Sequence, residues 1–590
     1  MTINEKLTKL RGLMQQNGVD TYIITKNDPH GSEYAKAYWS GVKFISGFTA
    51  SMANVVVTLD RAIVWTDSRY TIQAEIELGG TEFETFNIAD PENGNLLDFV
   101  AKNTKSGGTI GFDSRTLLAR TVLDLKSKIG DSGIKLNPNL DLLGEIWENK
   151  PVPTSDKVFE HELKYCGVSR AEKIANVREQ IKAKNGDVYV ISSLDDIAWL
   201  FNLRCNDADS NTTFESYAFV SEGKVALFAH PQKIADVKSM LENEGIDVLA
   251  YNDAKAYISN EIKGKTVLIA PSKTCYNLYE ALESSKIVEL DFDITTKMKA
   301  VKNSVEIENA RNAHLKDGIS VTRFMKWIKE NVGKTPMNEY TAGEMLDNMR
   351  KDADTFVHKS FNTICGYMPN GAIIHYRAEE STALPINPSG VLLVDSGGNY
   401  LDGTTDITRT IAMGEVTNEM KEDFTLVLKG LINLSMAKFI KGSTGAVLDV
   451  LARSALWDEG KDYKHGTGHG IGQFLSVHEG PQNISSRSTV VLEEGMMISN
   501  EPGFYKKDEY GIRSETIILV KPFKETEYGE FLEFETLTMS PFDLELIIKD
   551  MLTEKELKWL NDYHAEVYEK QSKYLNEEEK AWLKNATRAI

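Results

Sequence analysis

The sequence has few cysteines, no long apolar run and no excess of positive charge. Its four cysteines, Cys166, Cys205, Cys275 and Cys365, are spread along 590 residues, which argues against a disulfide framework or a cysteine zinc site. No stretch reaches the roughly 18 apolar residues of a membrane span. The first 20 residues carry charges every few positions and lack the apolar core of a signal peptide. We therefore expect four free thiols in a cytosolic protein.

The charge balance limits the classes of partner. Lys and Arg number 67 against 87 Asp and Glu, which gives a net charge of −20. Such a surface repels phosphate backbones and anionic lipid headgroups, so we expect neither nucleic acid nor a membrane as a partner. Apolar residues make up 41% and charged residues 26% of the chain, as in soluble globular proteins rather than disordered or collagen-like ones. The length predicts roughly three or four domains.

Two segments in the first half of the chain follow the same order of elements. Each begins with an amphipathic helix, continues with a short apolar strand and then forms a hairpin. Asp20 and Asp187 hold the same position in the two segments, just before the first strand. The predicted strands are Thr21–Thr25, Asn54–Leu59 and Ala62–Trp65 in the first segment and Val188–Ile191, Tyr217–Val220 and Lys224–Phe228 in the second. The pattern predicts two copies of one α/β unit; the alternative is a chance similarity.

Composition also indicates where the parts of the chain end. Prolines and asparagines at 137–139 and 151–153 are typical of a linker. A third segment begins near Met298, and the tail beyond Pro541 is charged and helical, with an apolar stripe (Trp559, Leu560, Tyr563, Val567) that indicates core or oligomer packing. We predict an α/β (α+β) protein with four parts, residues 1–150, 151–297, 298–540 and 541–590.

Acidic residues in the third segment stand at or near the ends of apolar strands. Asp395 ends the predicted strand Val391–Val394, and a glycine-rich turn at 397–399 leads to a second strand, Gly403–Thr410, which carries Asp406. Two antiparallel strands would bring these carboxylates side by side. Like charges in an apolar place are costly unless a cation joins them.

Further acidic residues and two histidines follow the same pattern. His465 and His469 stand in HGTGHGIG, where the glycines disfavour a helix and allow close approach by a metal or a substrate. Glu501 ends the predicted strand Met496–Asn500, and the region 511–520 reads as one strand with Arg513 and Glu515 on the same face.

Four of these acidic residues and one histidine form a candidate set of metal ligands. Any one of the acids alone is more simply explained as a solvated strand end or a helix cap, but five residues in the same pattern favour a metal site. Four carboxylates and one imidazole can hold two divalent ions; an oxygen-rich set favours Mn²⁺, with Co²⁺, Fe²⁺ or Zn²⁺ as alternatives. The set is Asp395, Asp406, His469, Glu501 and Glu515.

Five sequence motifs resemble the ordered motifs of the pita-bread metallopeptidases. They are VDSGGNYLDGTTDITRT, HGTGHGIG, VHEGP, NEPGFY and GIRSE. Within that group the chain is similar to the three-domain, cytosolic Xaa-Pro aminopeptidases (aminopeptidase P). The resemblance is most specific in residues 360–520, whereas in the two leading segments the arrangement matches better than the residues do. It implies two creatinase-like α/β domains before a pita-bread catalytic domain.

The resemblance also implies roles for individual residues. Asp395 binds one ion, His469 and Glu501 bind the other, and Asp406 and Glu515 bridge the two. Three further histidines beside the metals position the peptide and move protons, and two more residues form hydrogen bonds around the site. The histidines are His375, His465 and His478, and the other two residues are Tyr505 and Arg513.

The implied reaction is hydrolysis of the first peptide bond of an unstructured peptide whose second residue is proline. A hydroxide held between the two ions attacks the carbonyl carbon, His478 stabilises the oxyanion and Glu501 moves the proton. A homodimer made partly by the tail helices is expected. Two alternatives stay open, a prolidase that cleaves only Xaa-Pro dipeptides and a metal-free binding module on the same scaffold.

Overall fold

A computed structural model describes residues 1–207 and 210–590 of the chain. The chain divides into two compact units, the first made of most of residues 1–296 and the second of residues 297–590 together with the short segments His161–Gly167 and 210–212. Among the described residues, no helix combines the length and apolarity needed to cross a bilayer. The described residues include all four cysteines, and no disulfide joins them.

The first 300 residues alternate helices and short strands. The helices are α1 Ile3–Gln16, α2 Gly41–Ser46, α3 Thr71–Glu77, α4 Leu96–Asn103, α5 Ala119–Ile129, α6 Leu142–Ile146, α7 Leu163–Cys166, α8 Arg170–Ala183, α9 Leu194–Leu200, α10 Pro231–Asn243, α11 Ala254–Glu261, α12 Tyr276–Glu280 and α13 Ile294–Ala300. The strands are β1 Thr21–Thr25, β2 Ala53–Thr58, β3 Ala62–Thr66, β4 Phe83–Asn87, β5 Thr109–Phe112, β6 Lys135–Asn137, β7 Phe159–Glu160, β8 Val188–Ile191, β9 Leu203–Arg204, β10 Ser216–Ser221, β11 Val225–Ala229, β12 Asp247–Ala250, β13 Thr266–Ile269 and β14 Lys286–Glu289.

The first unit contains two six-stranded sheets with the same topology. Their strand orders are β4-β3-β2-β1-β5-β6 and β12-β11-β10-β8-β13-β14; in each sheet the strand third along the order pairs antiparallel with both of its neighbours, and the other pairs are parallel. Asp20 accepts a hydrogen bond from the backbone N–H of Thr109 at 2.9 Å, and Asp187 accepts one from Thr266 at 2.7 Å. The prediction of two copies of one α/β unit is therefore confirmed, down to this shared aspartate.

Both faces of these sheets are covered. Along β1 and β2, Ile23 and Val56 pack on one face with Trp65, while Ile24 and Val55 pack on the other. Successive residues of a strand point to opposite faces, so strands buried on both sides read as continuous apolar runs. The short apolar runs seen in the sequence follow from this double burial.

The second unit combines long helices with four small or medium sheets. The helices are α14 Ser304–Asn331, α15 Glu339–Arg350, α16 Asn418–Ser435, α17 Gly445–Trp457, α18 Glu554–Gln571 and α19 Glu577–Ala586. The strands are β15 Phe356–Lys359, β16 Ile364–Tyr367, β17 Val391–Ser396, β18 Gly398–Tyr400, β19 Gly403–Thr404, β20 Ile407–Ala412, β21 Lys438–Ile440, β22 Gly468–Gly470, β23 Glu479–Ile484, β24 Met497–Asn500, β25 Gly503–Lys506, β26 Tyr510–Arg513, β27 Thr516–Thr526 and β28 Gly529–Thr536. The 3-10 helices of both units are Ala37–Trp39, Ser68–Tyr70, Tyr251–Asp253, Met368–Ala372, Leu544–Leu546, Lys549–Met551 and Ser572–Tyr574.

Two local predictions in this unit are wrong. The glycine-rich residues 397–399 do not form a simple turn, because Gly398–Tyr400 is strand β18, which pairs with β15 and β19. The region 511–520 is not one strand, because the chain leaves regular structure at Ser514 and Glu515. On either side of this break, β26 pairs with β25 and β27 belongs to the six-stranded sheet β21-β28-β27-β24-β22-β23. Strand periodicity continues across the break, so the sequence pattern alone did not reveal it.

The tail packs on the core of its own unit. Leu560, Tyr563 and Val567 of α18 are buried in the same cluster as Phe424 and Leu428 of α16. The apolar stripe predicted for the tail is therefore core packing, which was one of its two interpretations.

A buried arginine ties the tail to strand β20. Arg409 is 2% exposed, and its guanidinium donates to the carbonyls of Thr408, Glu515, Ser540 and Pro541 and to the hydroxyl of Tyr563. A guanidinium has five N–H groups, and here each has an acceptor. This one side chain therefore ties strand β20 to three other stretches of the chain, at Glu515, at residues 540–541 and at Tyr563.

We expect Arg409→Met to lower the free energy of unfolding by about 3–5 kcal/mol, because several buried carbonyls lose their donor at once. Differential scanning calorimetry measures the fall in Tm. Arg311→Met is the matched control, since Arg311 pairs with Glu535 at a partly exposed site and such pairs contribute about 0–1 kcal/mol. Equal effects of the two variants would contradict the central role of Arg409.

Candidate metal centre

The five predicted ligands come from five different strands or strand ends of the second unit. Asp395 lies in β17 and His469 in β22, Glu501 directly follows β24, and Asp406 and Glu515 directly precede β20 and β27. Because β17 pairs with β20 in antiparallel register, Asp395 lies opposite Thr408. Because β22 and β27 both pair with β24, His469 and Glu515 approach Glu501.

The ligand atoms lie close together. One atom each from Asp406, His469 and Glu515 forms a group with all separations within 4.8 Å. His469 Nε2 is 3.5 Å from Asp406 Oδ2 and 3.4 Å from Glu501 Oε1. Asp395 lies at the same place, since its charge acts on Asp406, Glu501 and Glu515. Side chains up to 120 positions apart in sequence thus face one another.

Local contacts orient His469. Its Nδ1 is 3.0 Å from the carbonyl oxygen of Gly470, which suits an Nδ1–H donor and leaves the Nε2 lone pair facing the carboxylates. The neighbouring glycines allow this backbone path. A Cβ on Gly468 would lie 1.8 Å from the carbonyl oxygen of Ser499, and one on Gly470 would lie 2.0 Å from that of Glu479. The glycines of the HGTGHGIG motif are thus required by close strand packing.

The electrostatics of the group are unfavourable without a cation. Burial, together with repulsion from Asp395 and Glu501, raises the pKa of Asp406 to about 6. Burial and the same kind of repulsion raise the pKa of Glu515 well above its ordinary value, and burial also raises that of Glu501. Burial opposes the charged form of His469, but its contact with Asp406 and the charge of Glu501 raise its pKa to about 9.

Two buried carboxylate oxygens of this ligand group have no hydrogen-bond partner among the residues that the structure describes. They are Asp395 Oδ1 and Glu515 Oε1. A buried polar atom without a partner costs about 1–3 kcal/mol, and more when it is charged. Oxygen donors of this kind, converging with one imidazole nitrogen, suit divalent ions such as Mn²⁺. The residues present therefore fit a metal centre.

Arg513 and Tyr505 link the carboxylates to the neighbouring histidine. Arg513 Nη2 is 2.5 Å from Asp395 Oδ2, and Nη1 donates to the hydroxyl oxygen of Tyr505 at 2.7 Å. That hydroxyl is also 2.9 Å from His465 Nε2. Burial, with the charges of Glu501 and Asp395 and against the opposing effect of Arg513, raises the pKa of Tyr505 to about 12, so its hydroxyl stays protonated at neutral pH. Both residues predicted to form hydrogen bonds around the site lie in this chain of contacts.

Of the other two histidines, His478 lies beside the group through its ring, and His375 lies near it through the backbone of the preceding residue. The ring of His478 is 4.3 Å from that of His469, centroid to centroid, at an interplanar angle of 76°. His375 follows Ile374, whose carbonyl oxygen accepts a hydrogen bond from Arg513 Nη2 at 3.4 Å. All ten site residues predicted from the sequence therefore belong to one region of the second unit.

Two hydroxyl residues of the site were missed at the sequence level. Thr408 receives a hydrogen bond from Arg513 Nε at 3.2 Å and donates to Glu515 Oε2 at 2.8 Å. Ser499 accepts from the backbone N–H of His469 at 3.0 Å and donates to Glu501 Oε1 at 3.1 Å. Both stand two residues from a predicted ligand. Because side chains two residues apart on a strand lie on the same face, this spacing could have identified them from the sequence.

Comparison with protein families covers nearly the whole chain. The sequence model of metallopeptidase family M24 matches residues 308–522, and that for the C-terminal region of this peptidase family matches residues 530–590. Two models described as creatinase/prolidase N-terminal domains match residues 6–141 and 149–306, in agreement with the repeated sheet.

Relatives of known name match over their full length. A protein of Ajellomyces dermatitidis and one of Coprinopsis cinerea, both named probable Xaa-Pro aminopeptidase P, are 38% and 37% identical and align over 100% of this chain and 99% and 98% of their own. The crystal structure of X-prolyl aminopeptidase from Caenorhabditis elegans, described as a cytosolic enzyme with a di-nuclear active site, matches with a TM-score of 0.96 at 32% identity, with 100% of each chain covered. The prolidase of Pyrococcus horikoshii, at 22% identity over 63% of this chain and 99% of its own (TM-score 0.50), shares the fold alone. The chain belongs to metallopeptidase family M24.

Proposed function

We propose that the protein is a metal-dependent aminopeptidase that hydrolyses the N-terminal Xaa-Pro bond of unstructured peptides. The observation that carries the proposal is the convergence of four carboxylates and His469 in one buried group, with two carboxylate oxygens unpartnered among the described residues. Full-length similarity to proteins named Xaa-Pro aminopeptidase supports the choice of substrate.

The metal ions would be held by the five predicted ligands. Asp395 would bind one ion, His469 and Glu501 the other, and Asp406 and Glu515 both. The excess of oxygen donors favours Mn²⁺ over softer ions. When bound, such ions polarise a carbonyl and make hydroxide available at neutral pH.

The side chains around the group would bind the substrate and move protons. Glu501 Oε2 is the candidate to accept the proton of the attacking water and pass it to the leaving nitrogen. His478, beside His469, would donate a hydrogen bond to the carbonyl oxygen as negative charge develops there. His375 and the linked pair His465–Tyr505 would position the peptide, and Arg513 keeps Asp395 in place.

Proline at the second position explains why such a site is needed. The scissile nitrogen of an Xaa-Pro bond belongs to a tertiary amide and has no N–H. A peptidase that grips the scissile N–H fails on this bond, whereas activation of the carbonyl and the water does not require it. The proline ring of the substrate also forces the preceding residue into an extended conformation. This favours a narrow site that accepts flexible peptides.

We further propose that the chain has four parts, which end at residues 150, 297, 540 and 590.

We also propose that the protein is a cytosolic homodimer. The similar X-prolyl aminopeptidase from Caenorhabditis elegans is described as a cytosolic enzyme. The apolar stripe of α18 packs in its own core, so we add α17 to the tail helices as a candidate dimer contact. There Val447, Val450 and Trp457 are 63%, 43% and 48% exposed on one helical face, and this exposed apolar face is what supports the choice of α17.

We expect the Mn²⁺-supplied protein to release the first residue from an Xaa-Pro-Xaa tripeptide and to act far more slowly on an Xaa-Pro dipeptide, as followed by liquid chromatography. Glu501→Gln and His469→Ala are expected to fold normally, checked by circular dichroism, and to lose turnover by roughly a hundredfold or more. Cleavage of the dipeptide alone would make the protein a prolidase. No cleavage of either by metal-loaded protein would favour the binding-module alternative.

We expect the stabilisation by Mn²⁺ to grow between about pH 5 and about pH 8. The pKa values of Asp406 and His469 are raised to about 6 and about 9 in the metal-free fold, so that fold binds protons which the unfolded chain releases, and its free energy of unfolding falls as pH rises through this window. Metal binding displaces the same protons and removes this loss. The Tm of chelated and Mn²⁺-loaded protein measures the difference; a constant or shrinking gap would contradict the site. In Asp406→Asn this difference in Tm should vary less with pH.

We expect Val450→Glu to turn the dimer into a monomer, because a charge on the exposed stripe of α17 cannot be buried without a partner. Size-exclusion chromatography with light scattering measures the molar mass. The control is Ile76→Glu, which places the same charge at another exposed apolar residue, 68% exposed, outside α17. A variant at Val450 that stays dimeric would remove α17 from the interface.

A further inference from the structure

The segment 367–384 carries His375 and starts and ends at one buried carboxylate. It leaves strand β16, passes through the 3-10 helix Met368–Ala372 and returns to pair Pro385 with Asn338. The carboxylate is that of Glu339, the first residue of α15, which is 0% exposed. None of the sequence motifs includes this residue.

Glu339 accepts five hydrogen-bond contacts, all from this segment. Oε1 accepts from the backbone N–H of Tyr367 at 2.7 Å and from Asn370 Nδ2 at 3.1 Å. Oε2 accepts from Asn370 Nδ2 at 3.0 Å, the Tyr376 hydroxyl at 2.7 Å and the backbone N–H of Leu384 at 2.7 Å. The donors mark the start, the middle and the end of the segment, so a single carboxylate fixes its whole path.

Burial of the Glu339 carboxylate costs free energy, and this cost indicates that the residue has a role in holding the segment in place. Among the residues that the structure describes, Glu339 takes part in no ion pair, and a buried charge without a cation must be compensated by hydrogen bonds alone. A carboxylate is the one side chain that offers only acceptors, with about four lone-pair sites. It can therefore gather several donors of an irregular segment at one point, which an apolar side chain cannot.

The segment is also fixed at its other side, next to the metal centre. The carbonyl oxygen of Ile374 accepts from Arg513 Nη2 at 3.4 Å, the nitrogen that also binds Asp395. The residue after His375 is Tyr376, whose hydroxyl donates to Glu339. Both neighbours of His375 are thus held, Ile374 through its carbonyl oxygen by the arginine of the site and Tyr376 through its hydroxyl by Glu339.

Close backbone contact completes this support. A Cβ on Gly511 would lie 1.7 Å from the carbonyl oxygen of Gly371, so the 3-10 helix of the segment lies directly on strand β26, which ends in Arg513. A shift of the segment away from Glu339 would therefore move His375 relative to Arg513 and the carboxylates.

We propose that Glu339 is a positioning residue that holds His375 beside the metal centre by gathering the donors of segment 367–384. The proposal rests on the proposed function only in the role that it gives to His375. The anchoring itself is a property of the fold and can be measured without turnover.

The first experiment compares Glu339→Gln with two other variants in Mn²⁺-loaded protein acting on an Xaa-Pro-Xaa tripeptide. The glutamine keeps the size but turns one acceptor into a donor that faces the segment's own donors. We expect kcat to fall roughly tenfold or more, as for a misplaced catalytic group, with a smaller change in KM. Tyr376→Phe, which removes one of the contacts, should give a smaller fall. Glu344→Gln, an exposed glutamate on the same helix, is the control and should leave kcat unchanged.

A double-mutant cycle separates positioning from general destabilisation. If Glu339 acts through His375, Glu339→Gln will lower kcat/KM in wild-type protein but have almost no further effect in His375→Ala protein. Additive losses would overturn the proposal. Should Glu339→Gln fail to fold, Tyr376→Phe takes its place in the cycle.

A measurement without turnover tests the anchoring itself. In protein labelled at histidine, NMR should show the imidazole resonances of His375 shifted or broadened in Glu339→Gln and unchanged in Glu344→Gln, with assignment by His375→Ala. An unchanged His375 resonance would overturn the proposal. Absence of peptide hydrolysis by wild-type protein, together with a shifted resonance, would overturn the proposed function and leave the anchoring standing.

Discussion

The metal centre is organised by the mutual repulsion of four carboxylates, three of them buried and that of Glu501 half-buried. Asp395, Asp406, Glu501 and Glu515 face one another around His469, and burial with this repulsion raises the pKa of three of them. A group of this kind is unfavourable in a protein core unless cations are present. The fold places these side chains where several strands meet, so the charges are held close to one another. This constraint makes the region suited to bind metal ions.

The surroundings hold these side chains in place through polar contacts. Arg513 binds Asp395 and, through Thr408, is linked to Glu515. Arg409 fixes the backbone at Glu515 and connects it to the tail. Glu515 lies at the break between β26 and β27, where its backbone N–H donates to the carbonyl oxygen of Thr408 in β20 and its own carbonyl oxygen accepts from Arg409. The tail is therefore part of what supports the centre.

The ligands were predictable from sequence because each stands beside an apolar strand, in motifs rich in glycine. The repeated α/β units were predictable for the same reason, since strands buried on both faces leave continuous apolar runs. The break at Ser514 was not predictable, because alternation of side chains continues across it while the hydrogen-bond partners change from β25 to β24 and β28. Glu339 was missed because an acid at the start of a helix is ordinarily read as a favourable helix terminus.

By itself the sequence determined which residue types are available to bind metal ions, the order in which they occur and the double α/β unit that precedes them. Only the tertiary structure decided which side chains support them, since Thr408, Arg409 and Glu339 form these hydrogen bonds with residues 37 to 154 positions away in the sequence. Local patterns record the burial of a strand or a helix face. Hydrogen bonds between distant segments depend on how those segments pack, and no local pattern records that.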